Sequence, residues 1–325
     1  MRTAIRVFAP FLVAGLAYLA AATATNAGPT FEDQEVNRAY VRALAGATPG
    51  PATVTIAGPA QVELPKGYVF IPAKPAQHLL TAIGGSANPK LQGLIVPAAK
   101  PQDWHMMVEY DAAGHVGRET ARQWTTESIL QLLKVGAERG NEHRFEIRAP
   151  LLDVDGFVVP ASYDAGRHAL KFVARVVEVG PIVTTEPAAS VDSYVFGREG
   201  FVRLTMTLPE RSFEAVRAPA FALLDTVSFK AGAHGEDFVA GRHNVMSYPD
   251  LALFAGMNAS DARIYANANG LPEEVAAQSH STAVAVRASS ASVSKQAGPR
   301  PSLVWSSVLA LAVGALVCLG LALFS

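Results

Sequence analysis

Two short stretches concentrate the side chains that do chemistry. Between Trp104 and His115 lie His105, Glu109, Asp111 and His115, two imidazoles and two carboxylates in one β-like run and the turn after it. On a strand His105, Glu109 and Asp111 share a face, which is geometrically sufficient for a metal or an acid–base pair. Their separations match no established ligand spacing, and a polar face turned to solvent explains them as well. The second stretch, Gly197-Arg198-Glu199-Gly200, joins two β-like runs. It offers Arg198 and Glu199 to a ligand from a hairpin tip, or it is a turn whose glycines accept positive φ while the charged pair stays solvated. Arg198 and Glu199 are the candidate binding residues. No residue is nominated as catalytic or as a metal ligand.

Three weaker features have plainer explanations. Asp153-Val154-Asp155-Gly156 opens like a calcium loop but lacks the later oxygen ligands and the closing glutamate. His168 shares the parity of Leu170 and Phe172, which suits a satisfied, partly buried histidine better than a general base. His234, Glu236, Asp237 and His243 form the densest polar cluster, in a Gly-rich segment where surface solvation accounts for them. The chain has no Gly-x-Ser-x-Gly, phosphate loop, dinucleotide fingerprint or His-Glu-x-x-His, so no cofactor is indicated.

Composition narrows the function classes further. Charge is balanced, 27 Lys and Arg against 28 Asp and Glu, which leaves no basic footprint for nucleic acid. The single cysteine, Cys318, lies in a C-terminal apolar run, so the body has no thiol for a disulfide, a zinc site or a nucleophile.

The ends of the chain set an expected address. Arg2 and Arg6, the apolar stretch from Val7 to Ala22 and the small residues after it have the layout of a secretory signal over 1–27, with an uncleaved anchor as the alternative. Leu303 to Phe324 carries no charge and, at about 1.5 Å per helical residue, is about 33 Å long, enough to cross a bilayer. The expected division is a signal peptide at 1–27, an exported α+β domain at 28–271, a disordered linker at 272–301 and a transmembrane helix at 302–325. That places the body in the periplasm on a single inner-membrane span, with Ser325 at the cytoplasmic face.

The elements that must position the candidate residues follow from periodicity. Helices are predicted over Phe31 to Leu44 with Val36, Tyr40 and Leu44 inward, after Pro75, and from a Thr125 or Thr126 cap with Ile129, Leu132, Leu133 and Ala137 inward. Strands are predicted over Ala52–Ile56, Gln61–Leu64, Tyr68–Ile71, Leu91–Val96, Trp104–Tyr110 and Arg167–Glu178. Val191–Phe196 and Phe201–Leu208 form the clearest hairpin, with Val202, Leu204, Met206 and Leu208 as its apolar face. A helix with Pro219 in its first turn and a return strand at Thr226–Lys230 close the unit, followed by short helices near Pro249 and from Ser260.

Several ordered motifs carry a family resemblance. These are Gly50-Pro51-Ala52-Thr53-Val54, Leu64-Pro65-Lys66-Gly67-Tyr68-Val69-Phe70, Gly93-Leu94-Ile95-Val96-Pro97, Tyr163-Asp164 with His168-Ala169-Leu170, the Gly197–Gly200 turn, and Tyr248 to Gly256. Through them the chain from about Asn37 to Gly256 resembles the domain-of-unknown-function family 2167, DUF2167, bacterial proteins described as membrane-anchored. The resemblance implies an architecture and an address but no chemistry. The expected fold is α+β, an antiparallel or mixed sheet flanked by helices plus one C-terminal transmembrane helix. In outline it is similar to the sandwich of photosystem-associated and Ran-binding Mog-like domains. The expected role is a non-catalytic envelope module that binds a ligand or an envelope protein through its sheet face or hairpin tip. Alternatives are a periplasmic hydrolase or metal-dependent enzyme using His105 to His115, and an accessory subunit of a membrane complex paired through Gly314 and Gly320 in the span.

Overall fold

The computed structural model describes residues 31–271 except 57, 86, 99–103 and 184. The expected signal peptide (1–27), linker (272–301) and transmembrane helix (302–325) lie outside the described residues. Among the described residues no helix is long and apolar enough to cross a membrane.

The strands in chain order are β1 (Thr48–Pro49), β2 (Ala52–Thr55), β3 (Ala60–Leu64), β4 (Tyr68–Pro72), β5 (Leu91–Pro97), β6 (Met106–Asp111), β7 (Leu151–Asp164), β8 (Ala169–Val179), β9 (Ala188–Phe196), β10 (Phe201–Pro209) and β11 (Val227–Phe229). The helices are α1 (Phe31–Ala45), α2 (Ala73–Ala82), α3 (Arg118–Gln123), α4 (Thr126–Glu146), α5 (Glu210–Leu224), α6 (Pro249–Phe254) and α7 (Ala259–Ala268). Eight strands form one sheet in the order β1-β4-β5-β6-β10-β9-β8-β7, and β11-β3-β2 form a second. Every strand pairing within the two sheets is antiparallel. The fold is therefore α+β with an antiparallel, not mixed, main sheet.

Four details differ from the sequence pattern. β7 is not predicted, because three register shifts and an internal Pro160 break its alternation; both are tolerated at an edge strand. Pro219 lies inside α5 rather than in its first turn, on the exposed side, where water reaches the carbonyl that loses its partner. Thr226–Lys230 does not return to the main sheet: β11 pairs with β3. In α1 the inward face runs through Val36, Ala39, Tyr40 and Ala43, leaving Leu44 exposed.

The main sheet is covered on both faces. On one, Val108, Val191, Val202, Leu204 and Met206 pack against Val62 and Leu64 of the small sheet and Phe213, Leu223 and Leu224 of α5. Each such buried side chain stabilises the fold by about 1.5–3 kcal/mol. On the other, α1 and α2 cover β4 to β6 through Leu79, Leu80, Leu94 and Met107. Further along that face α4 and α6 cover β8 and β9 through Ile129, Phe172, Tyr194 and Phe254. α4 starts where predicted, with Thr125 Oγ1 accepting from the Ser128 N–H at 3.1 Å. Between these two helical patches β6, β10 and β9 carry a different set of side chains.

Candidate functional site

The hairpin of β9 and β10 alternates along its whole length. Val202, Leu204 and Met206 enter the apolar core, so Arg203 and Thr205 must face the other way. The register sets Arg203 directly across from Glu109 of β6 and Tyr194 of β9, and Thr205 across from Asp192. Arg203, Glu109 and Asp192 are 7%, 4% and 3% exposed. Charges this deeply buried persist only when paired.

The pairing is uneven. Asp192 Oδ1 accepts from Arg203 Nη2 at 2.6 Å, Arg203 Nε at 3.0 Å and Thr205 Oγ1 at 3.0 Å, and its Oδ2 accepts from Ser190 Oγ at 2.8 Å. Glu109 Oε1 accepts from Asn88 Nδ2 at 2.5 Å, while Oε2 stands 3.8 Å from Arg203 Nη1, outside hydrogen-bonding distance. Asn88 is itself fixed, its N–H donating to Gln77 Oε1 of α2 and its Oδ1 accepting from the Lys90 N–H. Lys90 pairs with Asp111. Burial pushes the Glu109 carboxyl up, partly opposed by Arg203 and Asn88. Burial also opposes the charge of Arg203, but Tyr194, Asp192 and Glu109 hold it firmly protonated.

Above these strands is a cavity of about 290 Å³. Its floor includes Glu109, Asp111, Tyr194 and Arg203, Lys90 stands at the side, and Met246, Leu253 and Met257 come from the roof. The roof is attached at several points. The His115 N–H donates to Asn244 O at 2.8 Å and the Met246 N–H to His115 O at 2.9 Å. This approach requires Gly114, whose φ is +113° and where a Cβ would stand 2.8 Å from the Met246 nitrogen. α6 then lies on α4 at Gly136, where a Cβ would meet Phe254 O at 2.9 Å. Tyr194 O–H donates to Leu253 O at 3.3 Å, joining floor to roof.

The residues expected from sequence divide. Glu109 and Asp111 reach the cavity; His105 and His115 do not. His105 is held neutral by burial, which lowers it to about 4. His115 stacks on Phe238, ring centroids 4.1 Å apart, with Nδ1 3.3 Å from Gly197 O. The four therefore form no metal site, and no cluster of three or more metal-ligating side chains occurs among the described residues. Arg198 is half-buried: its N–H donates to Ala233 O at 2.9 Å, Nη1 donates to Gly232 O, and Nη2 is 3.4 Å from Glu199. Glu199 is exposed, 3.9 Å from His243 Nε2. The tip abuts the cavity rim, because a Cβ on Gly200 would stand 2.1 Å from Asp111 O.

His168 is the satisfied core histidine its parity predicts. It is 2% exposed, Tyr163 O–H donates to its Nδ1 at 2.7 Å and its Nε2–H donates to Val116 O at 2.9 Å, and burial lowers it to about 4. Of the His234 to His243 cluster, Glu236 pairs with Arg118, and the Val239 N–H donates to His243 Nδ1 at 2.9 Å. Asp153 and Asp155 lie on β7, where Asp155 pairs with Arg175. Asp192, Arg203, Tyr194 and Lys90 are the site residues that motif reasoning passed over. For Asp192, Tyr194 and Arg203 the signal was the polar alternation of Ser190-Asp192-Tyr194 against Arg203-Thr205-Thr207; Lys90 lies outside it.

No curated protein matches the chain in sequence. Among solved structures, the solution structure of cyanobacterial PsbP (CyanoP) from Synechocystis sp. PCC 6803 covers 53% of this chain and 87% of its own, at 12% identity and a TM-score of 0.34. A likeness that distant bears on neither fold nor function here. The family model described as "Protein of unknown function (DUF2167)" matches residues 48–271, a span holding every described strand, helices α2 to α7 and the whole cavity lining, and the chain belongs to that family.

Proposed function

We propose that this chain is a non-catalytic binding module that takes one small ligand into the cavity between its two helical patches. The observation that carries this is the cavity floor, where two nearly buried charged side chains, Glu109 and Arg203, open onto a space of about 290 Å³. Small-molecule sites have this composition, a mostly apolar wall with a few fixed polar groups. Asp192 and Arg203 are committed to each other, which suits a rigid recognition surface better than proton shuttling.

The module works on the outer side of the bacterial inner membrane, exported by the N-terminal segment and held by the apolar run at 302–325. Glu199, exposed beside the cavity rim, is the contact for an envelope protein partner.

Native mass spectrometry of the full-length chain, extracted in mild detergent, tests the ligand. One small molecule per chain is expected, and it is lost when the exposed mouth residues are enlarged as Ala113→Trp or Ala259→Trp. A ligand retained in both variants counts against the cavity. Protease added to spheroplasts tests the address: the body is expected to be digested from outside, and protection until lysis would overturn it.

A further inference from the structure

We propose that the ligand is a small organic cation, a primary ammonium on an apolar body, with the ammonium seated at Glu109. The cluster around the cavity holds two cations, Lys90 and Arg203, and three carboxylates, Glu109, Asp111 and Asp192. Lys90 is engaged by Asp111, and Arg203 by Asp192 through two N–H groups. Glu109 is left over. Asn88 supplies one oxygen with a neutral donor, and the other stands 3.8 Å from a guanidinium already committed elsewhere.

A surplus carboxylate in a site this dry is neutralised either by a proton or by an entering cation. The raised affinity of Glu109 for protons, caused first by burial, is the empty-site form of the same imbalance. An anionic ligand would meet that surplus head-on, because both local cations already carry carboxylates. The rest of the lining suits an apolar body: Met246, Leu253 and Met257 supply thioether and aliphatic surface facing the charged floor, and Phe201 adds an aromatic ring beside Arg203 on β10. Met side chains adapt to bodies of differing shape.

The proposal rests on the cavity being the ligand site, and the test separates the two. The probes are 2-phenylethylammonium, 2-phenylethanol and 3-phenylpropionate, matched in body and different in charge. Each is titrated by calorimetry into the full-length chain in a non-ionic detergent, with Ala113→Trp as the control for uptake by the micelle. Binding of the ammonium at least about tenfold tighter than of the alcohol or the carboxylate is expected, and this preference is lost in Glu109→Gln. Alcohol or carboxylate bound as tightly as the ammonium, and blocked by Ala113→Trp, overturns the cation while leaving the cavity as the ligand site. No probe binding that Ala113→Trp removes overturns the cavity itself. A preference that survives Glu109→Gln overturns the assignment of Glu109. The ranking of the three probes on the unaltered chain needs no variant, so it decides the matter even if Glu109→Gln fails to fold.

Discussion

Strands β6, β9 and β10 carry opposite chemistry on their two faces. Toward the small sheet, Met106, Val108, Val191, Val202, Leu204 and Met206 are buried and apolar, with Ser193 the polar exception. Toward the helices, the middle of the intervening positions holds Glu109, Ser190, Asp192, Tyr194, Arg203 and Thr205, equally buried but charged or hydroxylated, flanked by the apolar Met107, Phe196 and Phe201. Burial alone does not separate structure from function in these strands; the chemistry of the buried groups does. The dry face gains from each methylene it hides, whereas the helical face carries a desolvation penalty that its own ion pairs only partly offset.

The comparison predicts unlike responses to substitution, and the dry face gives the largest. Leu204→Ala leaves a hole under α5 and lowers unfolding free energy by about 2–5 kcal/mol in urea titration, with ligand affinity of the folded fraction unchanged. A loss below about 1 kcal/mol would erase the distinction between the faces.

Acid gives the next effect and acts on the helical face, where His168 is buried. Its folded value is lowered from 6.5 to about 4, so the folded state disfavours the protonated ring. The stability this contributes is fully present above pH 6.5 and is lost as pH falls through about 4, roughly 3 kcal/mol in all. Stability measured against pH should fall across that window. His168→Asn, which tolerates the φ of +50° at this position, should flatten the fall even though it lowers the plateau. An unchanged slope would mean that the folded and unfolded states bind the proton at His168 equally well.

The two faces were also unequally legible in the sequence. The apolar side of β10 follows from the alternation of Val202, Leu204, Met206 and Leu208 alone, and the structure keeps that face and the turn at Gly197–Gly200. The same alternation marks Arg203 and Thr205 as a polar face, but whether such a face meets water or a roof depends on residues 244–259, whose packing on α4 and on His115 is not a local property. His105, Glu109 and Asp111 do share a parity, yet only the latter two sit in the gap between helical patches. Edge strand β7 escaped for the opposite reason, because bulges erase the period on which strand prediction depends. The cap of α4 was legible to within one residue, Thr125 or Thr126, because the Ser128 N–H that Thr125 satisfies is only three residues away.

The smaller effects bear on the surplus carboxylate. Burial raises Glu109, so the folded state favours its protonated form; that contribution to stability is present below the unfolded value near 4.5 and is lost as pH rises through the folded one. Glu109→Gln should therefore raise the urea midpoint at neutral pH and converge with the unaltered chain in acid, a gain in stability that accompanies the loss of ammonium selectivity. A midpoint lowered at neutral pH would mean that the ionised carboxylate supports the fold, and the contrast between a stabilising face and a binding face would fail at the residue where it is sharpest. Glu199→Ala is the gentlest test. The side chain is exposed, so stability should stay within about 0.5 kcal/mol. If the rim beside the cavity receives an envelope protein, cross-links from this position in intact cells should disappear in the variant while ligand binding persists. Their survival would remove the hairpin tip from the binding surface and leave the helical face with the cavity as its one recognition site.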